Sequence, residues 1–326
     1  MAGREPSRLA VLSPSVRIDM EKIKLCAPSS DGVHILSGVV YLPSGKPKGV
    51  YQVVHGMTEH IERYDRFMSD MAEAGYICFG HDHLGHGYTA NDDSELGFIA
   101  KKNGYDHLAR DVKAFYDAVV KEYDAESLPY YLMGHSMGSF VVRLASARYL
   151  TPNKLIVMGT GGANPAANIA LLLIALIKKF KGERHFSKLL DTLAFGSYNK
   201  RFGGGTAEDP KPWLTNDEDI RKRYYAEKFC TFNFTVSAMG DLIHLVKYSN
   251  GAEFYNSLDK SVSVLLVSGE EDPVGNYGKG IAEVEKKLIK KGKQVKKILY
   301  KGARHEILND FTYNDVKKDI LEFIGD

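Results

Sequence analysis

Between residues 49 and 158 the chain repeats one pattern: a short run of β-branched, aromatic or other apolar residues, then a stretch with helical periodicity. The run 50–54 precedes a helix over about 60–74. The run 76–79 leads through a turn at 80–87 to a helix over 104–123, whose Leu108, Val112, Phe115, Val119 and Val120 share one face. The run 130–133 enters a sharp turn and a helix to about 150, and 154–158 closes the series. Strands separated by a dozen or more helical residues cannot form tight hairpins. They align in parallel through crossover helices, which cover both faces of the sheet. The fold class is therefore α/β, with a mostly parallel central sheet and helices on both faces. Only residues 43–48 separate the strands near 38–42 and 50–54, which predicts an antiparallel hairpin at one edge.

The rhythm stops at about 162. An apolar helical stretch over 163–180 is followed by a basic stretch, then by Gly203-Gly204-Gly205, then by an aromatic-rich helical segment over 224–234. It resumes with a strand at 262–267, a helix at 278–290, a strand at 295–300 and a helix at 313–324. The expected organisation is a core of 20–161 and 247–326 carrying an inserted helical cap, or lid, at 162–246. Residues 1–19 hold Arg4, Arg8 and Arg17 without a sustained apolar stretch, so a signal peptide is not expected. They are set aside as an N-terminal extension, because a strand-like start follows Met20.

Charge narrows the function classes. In 326 residues, 43 Lys and Arg face 41 Asp and Glu, a balance that excludes a scaffold held to nucleic acid by phosphate contacts. Seven lysines within 286–297 read as a solvated helix face. Cys26, Cys78 and Cys230 are few and scattered, as expected of reduced thiols in a cytoplasmic protein. The longest apolar run, 169–177, is nine residues and ends at Lys178-Lys179, short of the roughly 18 a membrane helix needs. Lys178, Lys179, Lys181, Arg184 and Lys188 after it fit either a wet outer face or peripheral contact of the cap with an anionic membrane.

The chemistry centres on Gly134-His135-Ser136-Met137-Gly138, between a predicted strand and a predicted helix. A turn tight enough to project Ser136 crowds neighbouring Cβ atoms, and glycine on both sides relieves that crowding. The helix that follows aims its N-terminus, with the Met137 N–H, at charge developing in acyl transfer. A serine hydroxyl needs a base, and the base needs an orienting acid. Both should follow in that fold as acid then histidine, each beyond a strand end. Ser268-Gly269-Glu270-Glu271-Asp272-Pro273 follows one strand, and Lys301-Gly302-Ala303-Arg304-His305-Glu306 follows another. Asp272 is assigned as the acid, with Glu270 and Glu271 as alternatives, and His305 as the base. His55-Gly56-Met57 ends an early strand and offers the Met57 N–H as second oxyanion donor. The apolar cap residues Leu172 and Leu176, with Trp213, are expected to line the substrate pocket.

These segments resemble the α/β-hydrolase family, and within it the monoacylglycerol lipase and lysophospholipase-like group of serine aminopeptidase S33-type hydrolases. The resemblance spans residues 30–325. It rests on His55-Gly56-Met57-Thr58-Glu59-His60 with Arg63-Tyr64, on Asp82-His83-Leu84-Gly85-His86-Gly87, on Gly134 to Gly138, on the Asp272 and His305 segments, and on Trp213-Leu214-Thr215. Tyr88-Thr89 after Gly87 departs from the usual single residue before Ser. The resemblance implies a serine esterase with a helical lid and no cofactor, and the roles given to Ser136, Asp272, His305, Met57 and Met137. The expected substrate is a small-molecule ester or lipid with a hydrophobic acyl group, a monoacylglycerol or lysophospholipid, cleaved through an acyl-enzyme. The alternatives are an amide or small-peptide hydrolase of the same fold and a metal-dependent hydrolase using His81, His83 and His86. No metal is expected on the first reading, because the spacing of those histidines lacks a second ligand set downstream.

Overall fold

In the computed structural model, which describes residues 21–325, the alternating segments form one eight-stranded sheet. The strands are β1 (Glu21–Pro28), β2 (Ile35–Leu42), β3 (Gly49–Val54), β4 (Tyr76–His81), β5 (Tyr130–His135), β6 (Lys154–Met158), β7 (Ser263–Gly269) and β8 (Val295–Tyr300), in the spatial order β1-β2-β4-β3-β5-β6-β7-β8. From β4 to β8 every pairing is parallel, and the β1–β2 and β2–β4 pairings are antiparallel. Residues 1–19, read as an extension, lie outside the described residues.

The predicted hairpin between β2 and β3 does not form. Both edges of β3 are taken, by β4 and β5, and β2 pairs instead with β4, Val40 opposite Phe79 and Tyr41 opposite Cys78. Residues 43–48 cross the start of β4, where the Lys48 N–H donates to the Gly75 carbonyl at 2.9 Å. The real edge hairpin joins β1 to β2 across a turn closed by the Ser29 N–H and the His34 carbonyl, 2.9 Å apart.

Strand side chains alternate between two cores, as a period of two requires. Val50 and Val54 of β3 face one, with Val112 and Phe115 of α2 (Gly104–Glu122) and Val141 and Leu144 of α3 (Met137–Arg148). Tyr51 and Val53 face the other, with Phe67 and Met71 of α1 (Asp65–Glu73) and residues near the C-terminus such as Val316 and Ile320. All six residues of β3 and all six of β5 are buried, as expected of central strands covered on both faces.

Five helices separate β6 from β7: α4 (Ala167–Lys181), α5 (Lys188–Phe195), α6 (Glu218–Ala226), α7 (Val236–Ser249) and α8 (Ala252–Ser257). Helix α7 runs unbroken through residue 246, where the inserted segment was expected to end, and buries Val236, Ala238 and Leu245 in the first core. The aromatic-rich stretch 224–234 is one helical end, a single 3₁₀ turn at Lys228–Cys230 and irregular chain. Among the described residues no helix is long and apolar enough to cross a membrane.

Candidate active site

Strand β5 ends at His135 and helix α3 begins at Met137, leaving Ser136 alone at the turn with φ 53° and ψ −120°. Side chains rarely occupy that region, and residues held there cost roughly 1–3 kcal/mol. The flanking glycines make the turn sterically feasible. A Cβ on Gly134 would lie 2.3 Å from the Gly138 carbonyl oxygen, and one on Gly138 would lie 2.2 Å from that of Val54.

The turn after β7 buries Asp272 fully and leaves Glu270 and Glu271 exposed. Asp272 Oδ2 lies 3.0 Å from Nδ1 of His305, which follows β8. Asp272 also accepts from the Val274 N–H at 2.8 Å and the Ser268 hydroxyl at 3.1 Å. Burial alone would push the carboxyl up, toward its protonated form. The His305 ring and the two donors outweigh that and hold the carboxyl below its ordinary range. Of the three acids considered from sequence, only this one meets the histidine.

Ser136, His305, Met57 and Met137 line a cavity of about 710 Å³. Its apolar wall comes from Phe140, Phe232, Phe234, Leu242, Ile243 and Val246. Trp213 lines it too, as expected, with its ring 5.2 Å from that of His305 and its carbonyl accepting from the His305 N–H at 3.4 Å. Leu172 and Leu176 do not line it: they are 68% and 57% exposed. Helix α4 buries Ala167 and Ile174, and at 3.6 residues per turn Leu172 and Leu176 fall on the opposite side, in line with Ile169 and Phe180.

One side of the cavity is formed by Glu59, His135 and Glu306, which belong to a charged cluster whose role the sequence did not suggest. One Glu59 oxygen accepts from the Gly56 N–H, from the Tyr64 hydroxyl at 2.9 Å and from His135 Nδ1 at 3.2 Å. The other accepts from Arg63 at 2.8 Å, and Arg63 also grips Glu306 with two bonds of 2.8 and 2.7 Å. His135 Nε2 faces the His305 carbonyl at 3.3 Å. Burial opposes every one of these charges, yet the mutual pairing holds the Glu59 carboxyl well below its usual range and raises the His135 imidazole. Two carboxylates against one guanidinium favour the charged form of His135, whose Nδ1 faces Glu59 and the Tyr64 hydroxyl and whose Nε2 faces the His305 carbonyl. The cluster thus joins the loop bearing Met57 to the loop bearing His305. The spacing of Glu59 and Arg63, four residues apart, was its only local signal.

His81, His83 and His86 do not bring three free donors to one point, which removes the basis of the metal-hydrolase alternative. His83 Nε2 donates to the His55 carbonyl at 3.1 Å and His86 Nδ1 to the Leu84 carbonyl at 3.0 Å. Burial lowers His81 to about 3 and His86 to about 4, so both rings are neutral. Asp82 accepts from the Ile61 and Tyr88 amides, each at 2.8 Å, and ties the turn together.

The comparisons with known proteins agree with this architecture. A carboxyl esterase from Bacillus coagulans, crystallised with glycerol, superimposes with a TM-score of 0.86 at 30% identity, covering 94% of this chain and 99% of that one. A lipase in an open form gives 0.84 at 25% identity, covering 94% and 98%. Mouse (Mus musculus) monoglyceride lipase is 30% identical over 135 residues, 41% of this chain and 42% of the mouse protein. Monoacylglycerol lipase of Mycolicibacterium smegmatis is 29% identical over 147 residues, 45% and 49% of the two chains. The chain thus matches less than half the length of these two relatives. The family model described as serine aminopeptidase, S33, matches residues 45–312, and the chain belongs to that family of α/β-hydrolases.

Proposed function

We propose that the protein is a serine hydrolase of carboxylic esters with a hydrophobic acyl group, acting through an acyl-enzyme on Ser136. The observation that carries this reading is the Ser136 turn, with φ 53°, opening into the same cavity as His305, behind which Asp272 lies buried 3.0 Å from Nδ1. His305 takes the Ser136 proton as the oxygen attacks the ester carbonyl, then returns it to the leaving alcohol. In the second half it deprotonates water, which releases the acid. Asp272 keeps His305 in the productive tautomer and balances the imidazolium. The Met57 and Met137 amides receive the oxyanion, each worth about 3–4 kcal/mol in comparable sites.

Esters are favoured over amides because the relatives are named carboxyl esterase, lipase and monoglyceride lipase, and one wall of the site, from Phe140, Phe232, Phe234, Leu242, Ile243 and Val246, is apolar enough for an acyl chain. Monoacylglycerols and lysophospholipids fit that description. Of the expected lid at 162–246, the part ahead of α7 acts as the lid over the cavity, because α7 packs in the core. The stripe of Ile169, Leu172, Leu176 and Phe180 on α4, with Lys179 at its border, is suited to lie on an anionic membrane surface from which such substrates are drawn, while Lys178 turns inward to the Lys101 carbonyl and the Ser237 hydroxyl. Three unpaired thiols suit a reducing cytoplasm.

Intact-mass measurement after treatment with a fluorophosphonate tests the assignment. One adduct per wild-type chain, absent from a folded Ser136→Ala variant, is expected. An adduct retained in that variant, or none on folded wild type, overturns it.

A further inference from the structure

His60 is distant in sequence from Glu227 and Cys230 but meets them where the inserted segment touches the loop after β3. His60 Nε2 lies 2.5 Å from Glu227 Oε1, and Cys230 Sγ lies 3.7 Å from Glu227 Oε2. One ligand-capable atom from each residue lies within 4.8 Å of the others. His60 is 5% exposed and Cys230 fully buried. The approach of Glu227 to His60 falls outside hydrogen-bond geometry, so neither buried ring nitrogen of His60 has a hydrogen-bond partner among the described residues. A buried imidazole normally satisfies at least one nitrogen. Here it is aimed at a thiol and a carboxylate. Glu227 is 38% exposed at its side chain and lines an outer groove, which gives solutes a route in.

We infer that His60, Glu227 and Cys230 form a binding site for a thiophilic divalent transition cation of the zinc class. Imidazole, thiolate and carboxylate are the donors such a cation prefers, and a set containing sulfur and nitrogen disfavours magnesium and calcium. Tetrahedral bonds of about 2.0–2.3 Å set ligand atoms somewhat over 3 Å apart. Cys230 Sγ and Glu227 Oε2, 3.7 Å apart, already suit this, and the partly exposed Glu227 side chain would have to draw Oε1 back from His60 Nε2 by about an ångström. Binding releases the thiol proton to solvent. One thiolate and one carboxylate then neutralise the dication, as burial demands. Water takes the fourth position from the groove. Because His60 lies three residues after Met57, the cation ties residues 227–230 to the loop that carries the Met57 amide.

The test is a cobalt(II) titration of the full-length, reduced, chelator-treated protein, followed by the thiolate-to-cobalt charge-transfer absorption. One equivalent should develop the band with proton release, and zinc(II) should displace it. Cys230→Ser should abolish the band, Cys26→Ser should leave it, and His60→Gln should weaken binding by at least the roughly tenfold that loss of a supporting partner costs elsewhere. No band in excess cobalt, or a band retained in Cys230→Ser, overturns the site. If the buried Cys230 or His60 variants do not fold, Glu227→Gln decides: weakened binding supports the site and unchanged affinity overturns it. The readout is absorbance, so the result is independent of whether Ser136 turns over an ester.

Discussion

Helices α3 and α4 are both rich in apolar residues, yet they are used in opposite ways. In α3 every residue from Met137 to Ser146 is buried, between the sheet and α7. In α4 only Ala167 and Ile174 are buried, and Ile169, Leu172, Leu176 and Phe180 face outward. Hydrophobicity tells that a residue gains by leaving water, not what it leaves water for. For α3 the neighbour is this chain's own sheet. For α4 the outward face has no neighbour among the described residues.

The sharpest test on the α3 side concerns the charge arrangement around its N-terminus. Asp272→Asn should lower kcat/KM for a short-chain ester by about 10⁴-fold while leaving the thermal midpoint nearly unchanged, because the wrong histidine tautomer is then favoured. A loss below tenfold would remove Asp272 from the site. Next comes packing. Leu144→Ala, in a fully buried position of α3, should cost about 2–5 kcal/mol in urea unfolding. A cost below 1 kcal/mol would mean that α3 is not the packed element described.

Helix α7 lies between these extremes and supplies a pH test. Asp241 on α7 accepts from the Tyr105 N–H at the start of α2, at 3.0 Å, and burial pushes its carboxyl up to about 7. Between about pH 4 and 7 the folded protein keeps a proton that the unfolded chain has released, so this group's contribution to stability falls as pH rises through that window. Asp241→Asn should flatten that fall, measured as urea midpoints across the window. An unchanged slope refutes it. The smallest effect belongs to α4. Leu172→Ser with Leu176→Ser should shift stability by no more than about 0.5 kcal/mol, since surface substitutions rarely do more. The same pair should weaken sedimentation with anionic vesicles, and undiminished sedimentation would take α4 out of membrane contact.

The same contrast explains how much was legible in the sequence. The strand and helix rhythm, the Ser136 turn and the positions of Asp272 and His305 are local patterns set by steric rules within a few residues, and they read directly. The partner of β2 was not, because pairing depends on which strand edges remain free once β4 and β5 flank β3. Leu172 and Leu176 were misplaced because α4 is apolar on nearly every side, and such a helix does not announce which face turns inward. Glu59, Arg63, His135 and Glu306 were invisible as a unit, since the bonds joining them span up to 243 residues of chain. Separation along the chain likewise hid the meeting of His60 with Cys230.

Arg63, held between Glu59 and Glu306, has a mechanical consequence. It couples the Gly56 amide, which Glu59 accepts, to Glu306, whose own amide donates to the Leu214 carbonyl at 2.7 Å. Neither loop can lift away without stranding a buried charge from the other, which is costly on either side. The two amides therefore open to solvent together, as one cooperative unit with a shared free energy of opening. Hydrogen exchange is therefore expected to show the two loops opening together and not piecemeal.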